Sequence, residues 1–494
     1  MRLKYFLFLI ICLGFHAHAK ANFVMNANTV AAYNAIFEMR FTEAKRLIHD
    51  EKVKNPTNGI TILLENYMDY LYLLTSENKS DYEKFKDRKG TRIDAIREND
   101  KNSPYYLFAQ AEVYMQWGML KAKFGDYTPA ILDLMKSKKL LAENNEKFKD
   151  FLPNQKSIGW IELIFGAVPP SFKGIASIFG IKGDMAIGFK RIERFKSQIA
   201  NSKYSYYDSE VALLVSLTEI DVLNNKKDYA KLMALINDMS DKSLLKKYLQ
   251  GYVAYKTAHN DEAISFFMAA PRGNEYQDFA AIDYWLGNAK LCRIDSDANR
   301  YLYSYIKETK SANFIKDAYL KLAYYSLIVN NLSGYNTYTN LVKTKGAASY
   351  ERDKQAIKEA NDVKPDLDLL KARLYFDGGY YSKALAQLNL IDANDLKNTR
   401  DKIEFYYRLG RVYELTGKPA DALTNYQRAI NMGANTTYYY AANSALFSGN
   451  IYEQRKDYAK AGEYYKLTLK MKDHQYQTSI DNQAKEGLKR IKAN

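Results

Sequence analysis

The chain has 494 residues, 47% of them hydrophobic and 26% charged, in the range of a folded soluble protein. Its 24 glycines and 9 prolines are about half the usual combined share of roughly 12%, which argues against a strand-and-turn architecture and for long helices. The formal charge is +15, but lysines and arginines alternate with acids and form no basic block. Such interleaving describes solvated helix faces rather than a nucleic-acid site.

In chain order, the first segment reads as a secretory signal over residues 1–19. Arg2 and Lys4 precede an apolar run from Phe6 to Phe15, and Ala17-His18-Ala19 offers a small-residue cleavage site. The run is too short for a membrane span, which needs about 20 apolar residues. Cys12 follows Ile10-Ile11 instead of a small residue, so cleavage after Ala19 is expected rather than acylation of a cysteine. Cys292 then remains alone, which precludes an internal disulfide and predicts a buried thiol.

Residues 20–156 read as degenerate helical repeats. Phe37, Phe41, Ala44 and Ile48 share the spacing of one helical face from Ala35 to Ile48, and Ser103-Pro104 opens a helix through Tyr114 and Trp117. Residues 157–195 form an apolar insertion containing Pro169-Pro170 and several glycines, where a break in helical order is expected. A helical hairpin is predicted there. The sharper expectation is that Trp160, Ile164, Phe165 and Phe172 expose an apolar patch to lipid or to a partner.

Residues 196–360 read as divergent helical pairs. A unit starts near Leu244 with Gly251, Ala263, Phe267 and Ala270, and Trp285-Leu286-Gly287 and Tyr319 to Tyr325 begin further first helices. Residues 361–494 carry the clearest repeats. From Ile403, Tyr406, Leu409-Gly410, Tyr413, Ala422, Tyr426 and Ala429 stand at fixed places, and Thr416-Gly417-Lys418-Pro419 separates two helices. Gly449, Tyr452, Ala461 and Tyr465 repeat these places from Ala442, and Ala372, Tyr375, Ala384 and Leu388 repeat them from Pro365.

This spacing resembles the tetratricopeptide repeat (TPR), with tyrosines in place of its tryptophan and phenylalanine. The resemblance implies an all-α fold of antiparallel helical pairs stacked in a right-handed superhelical solenoid, with the hydrophobic hairpin inserted in the middle. The Gly180-Ile181-Lys182-Gly183-Asp184 turn, behind an aliphatic stretch ending in Pro169-Pro170, is similar to a segment of the inclusion-body-clearance family of TPR proteins. That likeness implies a shared helical architecture and no role.

TPR arrays typically bind along the face of each first helix, at places 2, 5, 9 and 12 of the unit. Here these give Tyr248, Tyr252 and Tyr255; Leu369, Arg373 and Phe376; Tyr407, Arg411 and Glu414; and Asn450 and Glu453. Leu446 stands where a carboxylate clamp would need lysine, so no terminal-carboxylate specificity is expected. His49, His259 and His474 lack metal-ligand spacing, and no hydrolase or phosphate-binding motif occurs. The expected function is a non-enzymatic, cofactor-free exported scaffold. It would hold a protein or peptide in the periplasm or at the outer membrane, and its Tyr- and Lys-rich composition resembles envelope proteins of the Bacteroidota. Peripheral membrane contact through residues 157–191 is the alternative, and the sequence leaves oligomeric state open.

Overall fold

A computed structural model describes residues 22–168, 180 and 182–493. The predicted signal at 1–19, Pro169-Pro170 and Phe172 lie outside the described residues. The described residues form helices and no named strand, with one isolated bridge between Asn22 and Asn58. They divide into two compact units. One comprises Met1–Thr257, Phe266–Ile282 and Thr309–Ser311; the other comprises Ala258–Ser265, Asp283–Glu308 and Ala312–Asn494.

The first unit contains α1 (Ala27–Phe37), α2 (Phe41–Lys54), α3 (Ile60–Ser76), α4 (Lys79–Phe85), α5 (Arg88–Arg97), α6 (Pro104–Phe124) and α7 (Tyr127–Lys147). It continues with α8 (Pro153–Gly166), α9 (Met185–Ile199), α10 (Asp208–Leu217), α11 (Tyr229–Asn237) and α12 (Leu244–Lys256). Neighbours in sequence pack together, above all α1 on α2, α6 on α7 and α8 on α9. Ser103 caps α6 by accepting from the Tyr105 amide, with Pro104 at the first helical place. The predicted continuous face from Ala35 to Ile48 is instead two helices. Met39 adopts a left-handed φ of 59° and breaks the chain there, while Phe37, Phe41, Ala44 and Ile48 all remain buried.

The expected break in helical order between residues 157 and 191 needs correction at three glycines. Gly159 and Gly166 lie in α8 and Gly188 in α9. A Cβ at Gly188 would stand 2.6 Å from the Gly159 carbonyl oxygen, and one at Gly159 would stand 3.0 Å from that of Gly188. These glycines let two helix backbones touch, which supplies a packing reason for them.

Helix α8 is also locked into its unit by charge. Lys156 is 1% exposed, and its Nζ donates to Glu210 at 2.8 Å, Glu112 at 3.0 Å and the Tyr67 hydroxyl at 3.1 Å. Tyr67 and Ser157 donate to Glu112, and Tyr33 donates to Glu210. Burial alone would lower the Lys156 pKa; the two carboxylates outweigh it and hold the ammonium above its ordinary value. Helices α3, α6, α8 and α10 thus meet on one buried cation, and α1 joins them through Glu210.

The second unit contains most of α13 (Asn260–Met268), α14 (Ala281–Arg293), α15 (Ala298–Glu308), α16 (Ile315–Ile328), α17 (Leu332–Thr344) and α18 (Glu351–Asn361). Then follow α19 (Leu367–Asp377), α20 (Tyr381–Leu388), α21 (Thr399–Leu415), α22 (Pro419–Gly433), α23 (Tyr440–Gln454), α24 (Tyr458–Lys470) and α25 (Gln477–Ala493). Sequential pairing continues in α16 with α17, α19 with α20, α21 with α22, and α23 with α24. Cys292 is buried, as expected.

One packing device recurs in both units. A Cβ at Gly410 of α21 would meet the Tyr426 ring of α22 at 2.4 Å. Gly449 stands likewise against Tyr465, at 2.6 Å, and Gly251 against Phe267, at 2.5 Å. In each pair the aromatic follows the glycine by sixteen residues and presses its ring on bare backbone. In the α19–α20 pair the same places hold Ala372 and Leu388, both buried in one cluster. A methyl has been added on one side and bulk removed on the other, which conserves the packed volume.

Candidate partner-binding site

The predicted groove residues divide between the units. In the first, Tyr252 is 6% exposed and donates to Asp221 at 2.7 Å. Tyr248 is half-buried, its ring 5.6 Å from Tyr252 and 4.6 Å from Phe279, and Tyr255 is half-buried. In the second, Leu369 belongs to the core between α19, α20 and α21. Tyr407 packs on Tyr440 and Phe447, and Phe376 on Tyr381. Tyr252, Leu369 and Tyr407 are therefore corrections. All three are buried against the rest of their unit.

The polar groove positions are held internally. Arg411 donates to Glu414 at 2.6 Å, with Phe447 4.0 Å from its guanidinium carbon and Phe376 at 5.5 Å. Glu414 accepts from the Tyr426 hydroxyl at 2.5 Å. In the next pair, Tyr465 donates to Asn450 at 2.8 Å and to Glu453, and Arg490 of α25 donates twice to Glu453 at 2.8 Å. Of the predicted apolar patch, only Phe165 is corrected. Phe165 is buried, and Trp160 and Ile164 are half-buried, with the Trp160 indole N–H directed at the Met119 sulfur at 3.2 Å.

A pocket does open within the second unit. Its lining comes from α16, α18, α19, α21, the Tyr438–Tyr440 run before and into α23, and the Gln475-Tyr476 turn before α25. It holds about 60 Å³ of free space, enough for a few waters. Arg373 on one side makes a bidentate pair with Glu359, at 2.8 and 3.0 Å, and Tyr324 donates to the same carboxylate. Burial alone would raise Glu359, but the Arg373 guanidinium more than offsets that and holds it well below the usual carboxylate range. Glu404 accepts from Arg408 at 2.6 Å, and Arg400 donates to Asp401 at 2.9 Å and to the Val363 carbonyl at 2.7 Å.

The aromatic wall is built from Tyr439, 4.4 Å from Tyr440 and 5.2 Å edge-on from Tyr476, with Tyr438 6.3 Å from Tyr440. Burial raises the hydroxyl pKa of all four, so they stay neutral donors at physiological pH. Tyr476 holds a left-handed φ of 59°, a conformation costly for a bulky residue and fixed here by its surroundings. Of the predicted groove residues, Arg373 alone lines this pocket.

Residues 403–435 match the family model of the tetratricopeptide repeat. The chain carries a TPR there. That match coincides with the Gly410–Tyr426 pair, the recurring device of the fold. No curated protein matches the chain. Among solved structures, the APC/C hetero-tetramer Cut9-Hcn1 is 11% identical over 94% of this chain and 95% of that one, with a TM-score of 0.23. A human IFIT1 dimer with PPP-AAAA is 11% identical over 91% and 95%, with a TM-score of 0.29.

Within the TPR at 403–435, place 5 holds Tyr407, and α23 covers it because the next pair stacks directly on this face. Place 12 holds Glu414, which binds the repeat's own place-24 tyrosine. Place 2 holds Glu404, which reaches the pocket. Glu404 shares the helical face read from sequence, so the spacing could have found it. Tyr438, Tyr439 and Tyr476 lie in connections, outside any repeat template, and the only sequence signal for them is the run Tyr438-Tyr439-Tyr440.

Proposed function

We propose that this chain is an exported, non-enzymatic TPR scaffold that holds a protein partner at the tyrosine-walled pocket of its second unit, within the bacterial envelope. The observation that carries this reading is the pocket. It is polar, open to solvent and walled by tyrosines, whose apolar body and hydroxyl suit reversible protein contacts. The TPR at 403–435 supports it, since helical repeats of this type serve as interaction scaffolds. The signal-like residues 1–19 support export. Among the described residues, no helix is long and apolar enough to cross a membrane.

Photo-crosslinking tests the reading. A benzoylphenylalanine at Tyr438 should yield a discrete adduct in cells, while the same probe at exposed Tyr127 of the first unit should not. Equal adducts from both positions, or none from Tyr438, would count against the site. Mass mapping of the mature N-terminus in envelope fractions tests export: a chain still beginning at Met1 would refute it.

A further inference from the structure

The acids around the pocket are unequally paired. Glu359, Asp401 and Glu404 each have a close guanidinium, from Arg373, Arg400 and Arg408 respectively. Asp362 is the fourth carboxylate. Its nearest guanidinium, that of Arg400, lies 3.8 Å away, and its side chain is 28% exposed at the pocket edge. Asp362 is thus the most accessible of the four carboxylates and the one most loosely paired.

A second observation concerns Gln355. Its Nε2 donates to Glu359 at 3.0 Å, which fixes the direction of the amide. The other end, Oε1, is buried in the pocket lining without a hydrogen-bond partner. Oε1 has no donor from the protein, so a donor brought in by a ligand would find an acceptor there. The third observation is the wall of Tyr438, Tyr439, Tyr440 and Tyr476, whose ring faces attract cations. The exposed ammonium of Lys358 already lies 5.9 Å from the Tyr476 centroid, approaching from the rim.

We infer that the pocket receives a primary ammonium group, the end of a lysine side chain on the partner protein. Asp362 takes its charge, the tyrosine faces its methylenes, and the Gln355 carbonyl one of its N–H groups. The free space suits an ammonium and its last methylenes. The inference rests on the scaffold reading, which supplies the partner.

The test uses the full mature chain and a glycine-serine heptapeptide with one central lysine, compared with the same peptide acetylated on the lysine Nε. Calorimetric titration should show binding by the free lysine peptide and at least tenfold weaker binding by the acetylated one. Asp362→Asn keeps the side-chain oxygen that accepts from the Val363 amide. It should cost a similar tenfold while the circular dichroism spectrum stays unchanged, and Lys358→Met should tighten binding by removing a competing cation. n-Butylamine should compete at millimolar concentration but bind more weakly than the peptide; tighter binding would point to a free amine and overturn the protein-lysine assignment. Equal binding of both peptides, no binding of the lysine peptide, or indifference to Asp362→Asn would overturn the ammonium site. If these fail while Tyr438 still crosslinks a partner, the scaffold reading survives alone; if the crosslink fails as well, both fall.

Discussion

The Gly410–Tyr426 contact permits a quantitative test of what holds a helical pair together. Alanine at position 410 would place a methyl 2.4 Å from two ring carbons of Tyr426, where contact distance is about 3.5–4 Å. More than an ångström of movement is needed, yet the ring is fully buried and its hydroxyl is tied to Glu414. The helix gains about 1 kcal/mol from Gly→Ala, while overpacking of this severity costs about 3 kcal/mol, so the substitution should destabilise by about 2 kcal/mol. Tyr426→Leu alone leaves a void over bare glycine and removes the hydroxyl bond, at a cost of about 2–3 kcal/mol. The double variant reproduces the Ala372–Leu388 pair of α19 and α20, and it should cost only about 1 kcal/mol. The coupling is then about 3–4 kcal/mol, at or slightly above the upper end for residues in contact. Hydrogen exchange over peptides within 399–433 reads this locally, which matters in a chain of two units. A stabilising Gly410→Ala, or additive single effects, would refute the reasoning.

The same substitution elsewhere should have the opposite sign. Gly90, inside α5 with no atom near a prospective Cβ, should stabilise its unit by about 0.5–1 kcal/mol as Gly90→Ala, read as a raised urea midpoint. Lys156→Met leaves Glu112 and Glu210 buried without their cation and should cost about 3–5 kcal/mol, visible as loss of exchange protection in α6 and α8. Retained protection in that variant would show that the network contributes little. Asp353 accepts the amides of Phe314, Lys316 and Asp317, yet burial pushes its carboxyl up to about 6 from 3.8. Its folded pKa lies above its unfolded one, so its contribution is full below about pH 4 and lost as pH rises through 6. Wild type should gain up to about 3 kcal/mol on Asp353→Asn between pH 8 and pH 4 in urea titrations. A constant difference across that range would contradict the shift.

Helical pairing and repeat register were legible because glycine and alanine spacing reports backbone proximity directly. Gly410, Gly449 and Gly251 each mark the seat of an aromatic sixteen residues later, and Gly417 supplies the left-handed turn, with φ of 76°, between α21 and α22. The break at Met39 was not legible, since a non-glycine left-handed residue leaves no compositional trace. Burial of the face at places 5 and 9 was also hidden. Whether Tyr407 meets solvent or α23 depends on how the next pair stacks, which a pattern within one repeat does not encode. Glycines 159, 166 and 188 misled for a related reason: the same residue serves a turn and a close helix crossing, and only the partner backbone distinguishes them.

Tyrosine at place 24 engages the polar positions of the groove read from sequence. A phenylalanine there would fill the same space against glycine and leave the place-12 acids free. The hydroxyls of Tyr426 and Tyr465 reach across to Glu414 and Glu453, and Arg411 and Arg490 complete the charge pairs. The polar groups that a groove would offer are consequently spent on holding each pair closed. On the proposed reading recognition falls to connections, where side chains have no place-12 acid within reach. Tyr438, Tyr439 and Tyr476 lie there, beside Asp362, whose pairing with Arg400 at 3.8 Å is the loosest of the pocket's acids. On this argument, tyrosine in place of phenylalanine at place 24 stabilises each pair and occupies its place-12 acid. Tyr426→Phe should therefore free Glu414 without opening the pocket, and crosslinking from Tyr438 should be unchanged by it.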